Sequence, residues 1–187
     1  LDWTPDIVHC HDWQAALVPL YLRTCFQDTD VGRASAVLTI HNLRFQGVYD
    51  RKMIQYWSGL PDYVFNKDCM IQNWLDANML KGGIAYCNKI TTVSNTYAGE
   101  IQTEEYGEGL AEHLRYHNNK IRGIVNGIDT DNWNPATDKL LTANYDAESA
   151  VENKKINKKA LQESLGLEVD DHKMVIGLIS RLTNKRP

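Results

Sequence analysis

Short apolar runs recur along the first two thirds of this chain, each followed by a longer stretch of mixed character. The runs are rich in β-branched residues and too short for helices, which predicts buried strands of a parallel sheet. Four such strands are predicted at residues 6–10, 36–40, 89–93 and 121–125, and a fifth at 173–180.

The stretches between the runs show the three- and four-residue spacing of amphipathic helices. Helices are predicted at 12–24, 51–57, 72–86, 96–101, 110–116 and 153–165, with Ser94 as a cap and Gly166 as a stop. The Gly82-Gly83 pair inside 72–86 predicts close approach of another backbone or a ligand. Regular alternation of strands and helices predicts an α/β fold: a doubly wound, Rossmann-like parallel sheet.

The polar segment that begins at residue 126 predicts a domain boundary. Residues 1–125 are assigned to the later part of one Rossmann-like domain, 126–138 to a linker, and 139–187 to the start of a second Rossmann-like domain. The chain begins at Leu1 rather than Met and stops soon after an apolar run. We therefore expect an internal piece of a longer protein.

Composition and charge narrow the class of protein. The 187 residues carry a formal net charge of −4, with 43% hydrophobic and 24% charged residues, which is ordinary for a globular domain. No basic stripe predicts nucleic-acid binding, and no apolar run approaches the roughly 20 residues of a membrane span. The four cysteines form no C-x-x-C pair, and no signal peptide is apparent, so we expect reduced thiols in an intracellular protein.

Polar side chains stand directly after several predicted strands, where open α/β sheets bind ligands. These residues are His9 and His11, His41, Ser94 and Asn126, and Asp12 stands at the start of the helix predicted after His11. Three of them have a simple structural interpretation: Asp12 as a helix cap, His41 as a partner for a strand-end carbonyl, and Asn126 as a turn residue. His9 and His11 are two apart and would face the same way, but the spacing offers no third ligand, so no metal site is predicted.

Several motifs occur in a fixed order that resembles the bacterial glycogen synthases and plant starch synthases, which are retaining glucosyltransferases of family 5 with the GT-B fold. The similarity extends from Pro5 to Thr183. The motifs are Pro-Asp-Ile-Val-His-Cys-His-Asp-Trp (5–13), Thr-Ile-His-Asn-Leu (39–43) with Phe-Gln-Gly (45–47), Lys-Gly-Gly-Ile (81–84), Ile-Thr-Thr-Val-Ser (90–94), Asn-Gly-Ile-Asp (126–129) with Trp-Asn-Pro (133–135), and Ser-Arg-Leu-Thr (180–183).

The resemblance implies a role for each candidate residue. The backbone carbonyl of His41 would stabilise the oxocarbenium-like cation of the transition state, and its imidazole would bind a sugar hydroxyl. Asp12 would lie near the acceptor sugar and Asn126 would reach the glucose. Arg181 and Arg186 would neutralise the departing diphosphate, although Arg186-Pro187 replaces the family's usual Lys-Gly.

The function implied for the parent protein is transfer of glucose from ADP-glucose to the non-reducing end of an α-1,4-glucan, with retention of configuration. The expected partners are the nucleotide sugar and the glucan, with no metal or other cofactor and no nucleic acid or membrane. The cytoplasm of a bacterium, or a plastid in a plant, is the expected location. The sequence does not indicate an oligomeric state.

Two alternatives remain open. One is a catalytically inert fragment that acts as a structural or glucan-contacting module, since the piece alone is expected to lack turnover. The other is a different GT-B enzyme, such as a sucrose or trehalose-phosphate synthase or a sugar-nucleotide epimerase, which the Phe-Gln-Gly after His-Asn-Leu disfavours.

Overall fold

A computed structural model describes residues 3–73 and 75–180. The chain divides after Asn126 into two compact units. In chain order the elements of the first unit are β1 (Ile7–His11), α1 (Val18–Arg23), β2 (Ser35–Ile40), β3 (Val48–Asp50), α2 (Arg51–Ser58), β4 (Ile71–Asn73), β5 (Asp76–Asn78), α3 (Met79–Tyr86), β6 (Lys89–Thr92), α4 (Asn95–Glu100), α5 (Ala111–Tyr116) and β7 (Ile121–Gly123).

The main sheet has four strands in the order β1-β2-β6-β7, and every neighbouring pair is parallel. These are the four strands predicted for this part of the chain, and the α/β class with a Rossmann-like parallel sheet is confirmed. Because all four strands run in the same direction, their carboxyl ends lie at one edge of the sheet.

The two faces of this sheet differ sharply. One face presents Cys10, Leu38, Ile40, Ile90 and Ile121, all nearly or fully buried. These side chains share one core with apolar residues of α1, α3, α4 and α5. The opposite face carries polar side chains, several of them exposed: His9, His11, Thr39, Lys89, Thr91 and Arg122. We call these the covered face and the open face.

Gly83 lets α3 lie close to the segment that precedes α1. A Cβ atom at this position would lie 2.8 Å from both the Cβ and the backbone oxygen of Ala16. The close backbone approach predicted from the Gly82-Gly83 pair is therefore confirmed. This close approach explains why glycine is used here, although each glycine weakens the helix by about 1 kcal/mol relative to alanine.

The helix predicted at 72–86 is wrong in its first half. Residues 71–73 and 76–78 instead supply β4 and β5, which form a small antiparallel sheet with β3. The helix α3 begins only at Met79, because the side chain of Asn78 accepts a hydrogen bond from the backbone N–H of Lys81 and so caps it.

The helix predicted at 12–24 is also shorter than expected. The chain makes a 3₁₀ turn at Trp13–Ala15, and α1 then starts at Val18. Pro19 lies in the first turn of α1, which is where a proline without an N–H is tolerated. The proline thus fixes where this helix can begin.

The second unit contains the helix α6 (Ala150–Ser164), which ends before Gly166 as predicted. The strand predicted at 173–180 is wrong: the segment has no regular secondary structure and pairs with no strand among the described residues. Met174, Ile176 and Leu178 are 84%, 84% and 80% exposed, so its apolar pattern is not satisfied by packing here. No helix in the described part of the chain is long and apolar enough to cross a membrane.

Candidate active site

Asp12 joins the ends of β1 and β2 at the carboxyl edge of the sheet. Its backbone N–H donates to the carbonyl oxygen of Thr39 at 2.9 Å, and its carboxylate accepts from the N–H of His41 at 2.8 Å. Asp12 has a φ of +54°, a conformation that Asp tolerates better than most residues but that still costs energy. Its carboxylate makes no cap to the following turn, so the predicted capping role is replaced by this link.

The His41 side chain meets a second imidazole. Its Nε2 atom lies 3.0 Å from Nδ1 of His11, and the two ring centroids are 5.3 Å apart. Both side chains are exposed. The predicted candidates Asp12 and His41 are therefore brought together, and His11 joins them.

A row of polar side chains in contact with one another crosses the open face behind these residues. The rings of His9 and His11 stack with centroids 4.4 Å apart, as expected for side chains that face the same way. His9 Nε2 lies 2.6 Å from Oγ1 of Thr39, which lies 2.6 Å from Oγ1 of Thr91. Burial, with the neighbouring rings of His11 and His41, lowers the pKa of His9. No group of three or more metal-ligating side chains gathers within residues 3–73 and 75–180.

Gln46 fixes the loop that follows His41. Its Nε2 atom donates to the carbonyl oxygens of Leu43 and Glu108 at 3.0 and 2.9 Å, and its Oε1 accepts from the side chain of Asn78 at 2.6 Å. Gln46 and Asn78 are 8% and 0% exposed, and buried polar groups of this kind are costly to leave unpaired. The loop is therefore tied both to the cap of α3 and to the segment around Glu108.

Gly47 ends this loop beneath the ring of Trp13. Its φ is +64°, and a Cβ atom would lie 2.4 Å from Cε3 of Trp13. Only glycine meets both conditions without strain. Trp13 is not among the predicted site residues. Its position directly after Asp12 in the sequence is the signal that could have identified it.

A cleft of about 500 Å³ opens beside the loop. The rings of Trp13 and Tyr49 approach within 6.0 Å between centroids, and amide and charged side chains lie next to them. A few polar groups around an aromatic surface are typical of small-ligand sites. The lining residues are Trp13, Arg44, Phe45, Gln46, Gly47, Val48, Tyr49, Gln72, Asn73 and Glu108.

The remaining predicted site residues are placed differently. Asn126 is exposed and lies just after β7. Because β6 separates β7 from β2, the ends of those two strands lie about 10 Å apart, two strand spacings. Arg181 and Arg186 lie outside the described residues, so their phosphate-binding role stays a prediction.

Comparisons with known proteins identify the family of this chain. A family model described as the starch synthase catalytic domain matches residues 1–116. The whole chain is 47% identical to a glycogen synthase of Lachnospira eligens and 51% identical to one of Thermotoga petrophila, of which it covers 39% and 38%. The chain thus spans about two fifths of the length of these relatives.

A solved structure shares the fold. The catalytic domain of starch synthase IV from Arabidopsis thaliana, bound to ADP and acarbose, matches 89% of this chain with a TM-score of 0.75 and 38% identity. The chain covers 34% of that structure. The expectation of a Rossmann-like half of a GT-B fold is confirmed by this match.

Proposed function

The chain belongs to the starch synthase catalytic domain family, and we propose that the full-length protein is a glycogen synthase. It transfers glucose from ADP-glucose to the non-reducing end of an α-1,4-glucan and retains the anomeric configuration. The names of the curated relatives support the reaction. The ADP and acarbose bound to the structural neighbour support a nucleotide-linked donor and a glucan-like acceptor.

The observation that carries the proposal is the link between Asp12 and His41. In the reaction the bond from the sugar C1 to the diphosphate oxygen breaks, a bond from C1 to the acceptor oxygen forms, and the proton of the acceptor hydroxyl passes to the departing diphosphate. Positive charge builds up on C1 between these events, and a fixed dipole beside it lowers the barrier. The carboxylate of Asp12 accepts from the N–H of His41 and so holds the backbone whose carbonyl is proposed to supply that dipole.

The cleft beside the loop is the proposed acceptor site. The Trp13 and Tyr49 rings offer surfaces for the apolar side of a glucose unit, and Asn73 and Glu108 offer hydrogen-bonding groups. Asn126 is proposed to bind a sugar hydroxyl, and Arg181 and Arg186 to bind the diphosphate. These cationic side chains supply the charge that the leaving group needs, so the proposal includes neither a metal ion nor another cofactor.

We propose the bacterial cytoplasm as the location of the reaction. The two curated relatives are bacterial proteins, which supports the bacterial cytoplasm as the place of this reaction.

The test is glucan elongation by the full-length protein with His41 replaced by Ala. We expect kcat with ADP-glucose to fall about 100-fold or more, because the variant keeps the backbone carbonyl but loses the imidazole that is proposed to bind a sugar hydroxyl in the transition state. His172→Ala is the matched control: it removes an exposed imidazole of the second unit and should leave the rate unchanged. Elongation by His41→Ala at the unaltered rate would contradict the proposed role of the His41 imidazole.

A second assay tests the substrates. The full-length protein is offered ADP-glucose or UDP-glucose with glycogen, fructose or glucose 6-phosphate as acceptor. Transfer from ADP-glucose to glycogen is the expected result. Transfer to fructose or to the sugar phosphate would instead identify a different GT-B enzyme and overturn the proposal.

A further inference from the structure

The imidazole of His41 is held from one side by another residue of the chain. Nδ1 of His11 lies 3.0 Å from Nε2 of His41. Strands β1 and β2 are adjacent and His11 pairs with Thr39 in register, so the end of β1 brings His11 beside the loop that starts at His41. At this distance one of the two nitrogens carries the shared proton and the other accepts it.

His11 is itself held in place. Its ring stacks on that of His9 at 4.4 Å, and His9 is bonded to Thr39 and through it to Thr91. This chain of contacts crosses β1, β2 and β6 on the open face of the sheet. It ends at His41, and none of its other members has a part in the reaction proposed above.

We infer that His11 is a positioning residue, which fixes the direction and the tautomer of the His41 imidazole through their hydrogen bond. With Nε2 of His41 engaged by His11, Nδ1 of His41 is the ring nitrogen left for a sugar hydroxyl. The neutral tautomer of His41 is tied to that of His11, since a proton on one of the facing nitrogens excludes a proton on the other. The effect on turnover rests on the proposed function; the coupling of the two rings does not.

Three substitutions of His11 in the full-length protein test the inference. His11→Asn keeps a polar atom near the position of Nδ1, His11→Gln places its amide further out, and His11→Ala removes the group. We expect kcat to fall about tenfold in His11→Ala, the rate equivalent of one lost hydrogen bond. His11→Asn should recover most of this loss and His11→Gln little of it, while KM for the glucan changes less than twofold.

The control is Ser35→Ala. Ser35 is an exposed residue at the amino end of β2, on the same face as Thr39. Its loss should leave kcat and KM unchanged, which separates the effect of His11 from any effect of altering that face. If His11→Ala retains full kcat, or if His11→Asn is no better than His11→Ala, the inference is overturned.

A spectroscopic measurement tests the coupling without turnover. Long-range ¹⁵N–¹H correlation spectra of the histidine-labelled full-length protein report which ring nitrogen of His41 is protonated, with the His41→Ala variant giving the assignment. We expect the His41 resonances to shift in His11→Ala and to stay near their original positions in His11→Asn and Ser35→Ala. Unshifted His41 resonances in His11→Ala would overturn the inference. Full activity of His41→Ala would contradict only the proposed role of the His41 imidazole in turnover, and transfer to an acceptor other than glycogen would overturn the proposed function, because in both cases these spectra would still report the coupling.

Discussion

The two faces of the parallel sheet contribute differently to the first unit: one to its core and the other to the candidate site. Ile90 and Thr91 are neighbours on β6, but Ile90 points to the covered face and is 0% exposed, whereas Thr91 points to the open face and bonds to Thr39. The covered face is entirely a packing surface, and the open face holds the row of polar side chains that leads to His41. Stability and site geometry therefore come from alternate residues of the same strands, and substitutions can separate them.

The largest effect is expected on the covered face. Ile90→Ala should lower the free energy of unfolding by about 3–4 kcal/mol, since it leaves a cavity in a core that cannot close around it. The measurement is urea or thermal unfolding of the full-length protein. Lys89→Ala, an exposed neighbour on the other side of the same strand, should change stability by no more than about 0.5 kcal/mol. Equal losses for the two variants would contradict the division between the faces.

The same alternation explains how much of the fold could be predicted. The runs around Leu38 and Ile90 have the β-branched, apolar pattern of strands buried on one side, and the polar residues after them mark the carboxyl edge. His41 could be proposed from that position, whereas Asp12 could be proposed only with the resemblance of the motif around it. The partnership with His11 could not, because nothing in the spacing shows that β1 and β2 are adjacent and in the register that brings the two rings together.

The errors in the predicted helix at 72–86 and the predicted strand at 173–180 have physical causes. The spacing around Met79 fits a helix throughout 72–86, but the side chain of Asn78 competes for the helix start and caps it there. The run from Met174 to Ile179 has the composition of a strand, but a strand requires a partner for its backbone groups, and none pairs with it among the described residues. Local pattern can predict the tendency of a segment but not its partner.

A smaller effect is expected from the helices that pack on the covered face. The rings of His113 and His117, in the α5 region, stack edge to face. Burial lowers the pKa of each imidazole from 6.5 to about 4. The neighbouring His117 lowers the pKa of His113 further, and Lys120 does the same for His117. Both rings therefore remain neutral in the folded protein at pH values where the unfolded chain takes up protons. Stability should be complete above pH 6.5 and fall as the pH drops toward 4.

The loss between pH 7 and pH 5 should be on the order of 1–2 kcal/mol, because water around the partly exposed rings reduces the full effect. The measurement is the thermal midpoint of the full-length protein across this range. The double variant His113→Gln, His117→Gln should show a flatter dependence on pH. An equally steep dependence in that variant would assign the acid sensitivity to other groups.

The smallest effect is expected on the open face. Thr91→Val keeps the branched shape that strands favour and removes a single hydroxyl, 2.6 Å from that of Thr39. Thr39 keeps its contact with His9, so the free energy of unfolding should fall by no more than about 1 kcal/mol, against the larger loss for Ile90→Ala one residue away. Urea unfolding of the full-length protein measures both. A loss above about 2 kcal/mol would contradict the division between the faces, because it would approach the loss expected from removing apolar volume from the core.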